Sequence, residues 1–183
     1  SGVLTLASDS ASATVAQWEN ALRAVTYANS SETPATAART VTFVVNDGTV
    51  SSAGATKAVS VAATDDSPVV TTSAGTTAFT EANNAASTPV TVDGAVTVAD
   101  ADNANLAGAT VTITGNLASG QDVLGFTNNP ATMADIAGAY TAATGTLALT
   151  SAGTPTKAQW EAALRAVTYT NTSNAPGTLN RTI

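Results

Sequence analysis

Residues 16–27, reading Ala-Gln-Trp-Glu-Asn-Ala-Leu-Arg-Ala-Val-Thr-Tyr, return almost unchanged as residues 158–169. Only Asn20, which becomes Ala162, differs. The same offset, which carries Trp18 onto Trp160, persists through Pro34 and Pro176 to Arg39 and Arg181, Thr40 and Thr182, and Val41 and Ile183. Solenoid coils repeat every 20–50 residues or so. The period here, about 140 residues, is instead the size of a whole domain. The repeat therefore predicts separate domains strung along one chain. One full period is followed by the opening of the next, residues 143–183, which predicts a chain that starts and stops within a domain.

The expected boundary is Ala62-Ala63-Thr64-Asp65-Asp66-Ser67-Pro68, where an alternating run ends in two acids and a proline that cannot continue backbone pairing. Residues 1–64 then form the last part of one domain, 65–67 a linker, and 68–183 most of the following domain. The chain is 44% hydrophobic and 10% charged, apolar enough to bury a core. Aromatics make up only 4%, so that core falls to Val, Leu, Ile and Ala, and β-branched residues favour strands.

Thr40–Val45 places Val41, Phe43 and Val45 on one face of a strand, and Asn46-Asp47-Gly48 turns it toward a returning strand at Ala58–Val61. Further short alternating runs occur at 90–92, 96–98, 109–113 and 146–149, separated by Gly, Asn or Asp. This pattern predicts an all-β sandwich. The duplicated segment departs from it, because Trp18, Leu22 and Val25 fall at i, i+4 and i+7, one face of a short helix capped by Thr14, with Thr156 at the same place in the second copy.

Composition excludes several classes of function. A net charge of −7 with 6 Lys and Arg leaves no basic patch for nucleic acid. No Cys and no His means no thiolate or imidazole metal site and no Ser-His-Asp triad. Paired catalytic carboxylates, a phosphate-binding glycine loop and a nucleophile elbow are also missing, so an enzyme is not expected. No apolar run reaches the roughly 18 residues of a membrane span, and Ser1-Gly2-Val3-Leu4 does not open a signal peptide, so any export signal is expected outside this stretch.

Acidic residues are sparse except at Asp65-Asp66 and in Asp100-Ala101-Asp102-Asn103-Ala104-Asn105. Closely spaced Asp and Asn on a loop offer the oxygen ligands that a hard cation such as Ca2+ requires. Asp47, in its hairpin turn, is the residue type that lines the same end of its own domain.

Four segments, VADADNANLAGATVTI, AQWEAALRAVTYTNTSNAPGTLNRTI, FVVNDGT and ATDDSPVV, resemble the cadherin-like and immunoglobulin-like tandem repeats of giant type I-secreted, RTX-type bacterial adhesins. The resemblance implies β-sandwich extender domains with one short helix per repeat, calcium stiffening the interdomain junctions, and a secreted protein of the bacterial cell surface acting in adhesion or biofilm formation. It implies Asp65 and Asp66 as linker ligands, Asp100 and Asp102 as paired ligands of the next domain, Asn105 as a loop ligand, and Glu81 as a first-strand glutamate serving the domain's far junction. The linker departs from the cadherin form, having Asp-Asp-Ser-Pro where cadherins carry a longer Asp-x-Asn-Asp-Asn-x-Pro, which implies fewer ions per junction.

Trp18 and Trp160 sit on the helix face with Leu22 and Leu164, which favours packing over sugar stacking. Arg23 and Arg165, and likewise Arg39 and Arg181, are expected to have a structural role, pairing with Glu19 and Glu161 or meeting a strand-end carbonyl. Asn29-Ser30-Ser31 and Asn171-Thr172-Ser173 match a glycosylation sequon that means little without a eukaryotic secretory context. The alternative function is a carbohydrate- or protein-binding module using the Gly115–Asp135 loops. The expected partners are neighbouring repeats, with head-to-tail self-association in which residues 1–64 of one chain complete residues 68–183 of another.

Overall fold

The structure is a computed structural model that describes residues 2–9 and 12–183. The chain divides into two compact units, Ser1–Ala63 and Thr64–Ile183.

The first unit holds helix α1 (Val15–Arg23) and an antiparallel pair, β1 (Arg39–Phe43) with β2 (Ala55–Val59). α1 starts where a Thr14 and Gln17 capping box satisfies the free amides of its first turn. β1 alternates half-buried and exposed residues but ends at Phe43, and β2 starts three residues earlier than the alternation at 58–61 indicates. Val45 lies beyond the strand, its amide hydrogen bonded to the Ser52 hydroxyl. Asp47 makes the turn by accepting from the amides of Thr49 and Val50, and Gly48 takes the positive φ of +98° that a side chain would resist. None of the described residues of this unit is buried.

The second unit contains the core. β3 (Val69–Thr71) pairs with β5 (Thr97–Ala99). β4 (Val90–Thr91), β7 (Asp122–Gly125) and β10 (Thr168–Asn171) form one antiparallel sheet with β10 central. β6 (Gly108–Thr112), β8 (Ala137–Thr141) and β9 (Thr146–Thr150) form another with β9 central. Helix α2 (Pro130–Met133), absent from the sequence expectation of a single helix, follows Asn129, and α3 (Lys157–Arg165) is the second copy of α1. The architecture is thus β-rich and antiparallel, with little helix.

On β9 the two-residue period turns Leu147 and Leu149 inward. They join Ile113, Leu124, Met133, Ile136, Trp160, Ala163 and Val167 in one apolar cluster. Trp160 is its anchor, with no exposed surface and its indole N–H donating 2.9 Å to the Leu106 carbonyl. α3 is tied to β5 by two charged residues one turn apart. Glu161 accepts from the Val98 amide, Arg165 donates to the Val96 carbonyl, and the two form an ion pair of 2.7 Å. Arg165 therefore meets both partners expected of it, a glutamate and a strand-end carbonyl.

Candidate functional site

The second unit begins at an acidic corner. Thr64–Pro68 leads into β3, while Asp100–Asn105 follows β5, so the β3–β5 pairing delivers both acidic segments to one place. The Asp66 amide donates to the Asp102 carboxylate, and the Asn103 side-chain amide donates 2.8 Å to Asp65 Oδ1. Asp100 Oδ1 closes its loop by accepting from the amides of Asp102 and Asn103. Its other oxygen, Oδ2, is buried and has no hydrogen-bond partner. The Lys157 ammonium donates to the Asp100 carbonyl, placing one cation beside this loop.

Asn103 is therefore the amide that reaches Asp65, while Asn105 is exposed and its backbone forms an isolated bridge with Thr156. Asp47 belongs to the first unit, fully exposed, and its turn amides from Val50 and Thr49 hold its carboxyl below the usual range. Glu81 lies between β3 and β4, and its Oε1 is buried without a partner. Among the described residues no three acidic side chains converge on a metal-sized point. Asp100 Oδ2 is nevertheless an orphaned oxygen of the kind a bound cation satisfies.

A second polar centre escaped the sequence reading. Asp122, on β7, has no exposed surface. Its Oδ2 accepts from Arg181 Nε at 2.8 Å and the Ala118 amide at 2.7 Å. Its Oδ1 accepts from the Tyr169 hydroxyl at 2.6 Å and the Asn171 amide at 2.5 Å. Burial alone drives a carboxyl pKa upward, but donation from Arg181, Tyr169, Ala118 and Asn171 outweighs it and holds Asp122 below the usual range. Burial, together with the neighbouring Asp122 charge, pushes Tyr169 up to about 12.

The signal lay in the repeat. Tyr27, Asn29 and Arg39 return as Tyr169, Asn171 and Arg181 while Glu32, Ala35, Ala37 and Ala38 become Asn174, Gly177, Leu179 and Asn180. Polar residues retained where their neighbours change indicate a shared partner.

In the 115–135 stretch Asn128 and Asn129 make internal bonds, although Asn128 Oδ1 is buried without a partner. Asn129 caps α2 through the Ala131 amide, and Asn128 donates to the Ala134 carbonyl. No protein family, no curated protein and no solved structure matches this chain.

Proposed function

We propose that this chain is a non-catalytic extender segment of a secreted bacterial surface adhesin, built of tandem immunoglobulin- or cadherin-like sandwiches and stiffened by Ca2+ where one domain passes to the next. The return of residues 16–27 at 158–169 carries this reading, because a domain-length repeat makes length and spacing the property that varies with copy number. Adhesion and biofilm formation are the roles that a surface spacer of this kind serves.

The calcium part of the reading is supported by Asp100 Oδ2, buried and unpartnered in the loop whose Asp102 and Asn103 bond to the Asp65-Asp66 segment. Four carboxylates on two short segments repel each other. A bound divalent cation replaces that repulsion with attraction and fixes the segment before β3 to the loop after β5. Asp65, Asp66, Asp100 and Asp102 supply the charge, with amide or carbonyl oxygens of Asn103 or Asn105 completing the shell. Asp47 and Glu81 are the candidates for the other domain ends.

Scanning calorimetry and small-angle scattering of the chain in millimolar Ca2+ and in chelator test the proposal. Calcium should raise the unfolding temperature and narrow the distribution of chain dimensions. At a hundredfold excess over the dissociation constant, binding to the native state alone adds about 2.7 kcal/mol. Asp100→Asn should abolish most of the response. Identical transitions and identical scattering with and without the ion would refute the calcium reading.

A further inference from the structure

The basic residues of the second unit are Lys157, Arg165 and Arg181. The two arginines are each committed to one carboxylate, Arg165 to Glu161 at 2.7 Å and Arg181 to Asp122 at 2.8 Å. Among the described residues Lys157 forms no such pair. It is nevertheless held in place. Its backbone amide donates 3.0 Å to the Ala104 carbonyl and its ammonium donates to the Asp100 carbonyl, so this half-buried residue spans the acidic loop. The Leu106 amide, donating 3.3 Å to the Pro155 carbonyl, and the Trp160 indole, donating to the Leu106 carbonyl, fasten the loop's exit to the same end of α3.

Lys157 is the first residue of α3, where the helix dipole disfavours a cation. A lysine placed against that dipole needs a compensating field. The acidic corner supplies it, because the loop that Lys157 spans holds Asp100 and Asp102, and Asp102 and Asn103 bond to the segment that holds Asp65 and Asp66. The helix itself does not require the charge. The repeat offset that carries Trp18 onto Trp160 carries Val15 onto Lys157, and α1 forms over the same 9 residues behind the same kind of capping box. The lysine is therefore a feature of this corner and not of the helix it starts.

We propose that Lys157 is a resident counter-charge that tunes the calcium corner. With no ion bound, its ammonium offsets part of the repulsion among the four carboxylates. When an ion arrives, the same ammonium weakens its binding, since it occupies the Asp100 carbonyl oxygen and adds a positive charge to the field that a divalent cation enters. A repeat with the same acids and Val at this position binds the ion more tightly, so one substitution sets the calcium concentration at which a junction stiffens. The tuning rests on the calcium reading above, whereas the counter-charge does not.

Isothermal titration of the full chain with Ca2+ and thermal unfolding in chelator test both parts. They compare the parent with Lys157→Val, the residue of the first copy, and with Lys157→Met, which keeps the half-buried stem. At low ionic strength calcium affinity should rise about fivefold in both variants, the size of a water-screened charge repulsion over a few ångströms, and high salt should shrink the gain. Lys157→Arg, which keeps the charge, should stay near the parent. In chelator, Asp102→Asn should lower the unfolding temperature more in the parent than in Lys157→Met, because only in the parent does that carboxylate face a cation. Additive effects of Asp102→Asn and Lys157→Met in chelator overturn the counter-charge. Calcium binding by the parent with no gain in the neutral variants overturns the tuning alone. Binding by none of the proteins overturns the tuning together with the calcium reading, and the ion-free comparison still decides the counter-charge.

Discussion

Asp122 is a full negative charge at a position with no exposed surface, and it persists there because four donors share its two oxygens. Removing one partner of such a pair leaves a charge that neither water nor protein satisfies, which costs about 3–5 kcal/mol. Arg181→Ala is expected to destabilise the second unit by that amount in urea denaturation at pH 7. Because the folded-state pKa lies below the unfolded one, this contribution is present above about pH 4 and is lost as pH falls through the depressed native value. Denaturation repeated at pH 7, 4 and 3 should therefore show a steep loss of stability in the parent and a shallower one in Arg181→Ala. The residue was illegible in sequence for a simple reason. Alternation assigns a charged residue to the solvent face, and Asp122 occupies an inward position of β7, as Asn171 does on β10.

Among the elements, those with apolar alternation or a cap were readable. β9 and β6 follow their patterns, and both copies of the helix begin at the Thr expected to cap them. β7 and β10 were missed because their inward positions include Asp122 and Asn171, and β8 because Ala137, Gly138 and Ala139 give hydrophobic alternation little contrast. α2 was missed because a four-residue turn started by Asn129 and Pro130 has no periodicity to detect. The two long helices separate local from tertiary stabilisation, since the local sequence is nearly the same and only the packing differs. Thr156→Ala should lower the stability of the second unit by about 1 kcal/mol, the usual worth of an N-cap. Thr14→Ala should leave the second unit's denaturant midpoint where it was, since α1 has no buried residue to hold in place.

At the scale of the whole chain, the repeat was legible because it is a comparison of the sequence with itself and requires no assumption about packing. The acidic corner was legible in part. Spacing identified Asp65, Asp66, Asp100 and Asp102, but only the β3–β5 pairing shows that Asn103 reaches Asp65 and that one oxygen of Asp100 has nothing to bond. The two tryptophans carry the contrast between the units into spectroscopy. Trp160, sealed among aliphatic side chains, should emit toward the blue and resist acrylamide, while Trp18 should emit toward the red and quench readily. With 2 Trp in the chain, Trp160→Phe isolates the Trp18 signal. Conversely, Trp18→Phe leaves Trp160 alone, and a red shift of its emission in denaturant would time the opening of the second unit's core without any attached label.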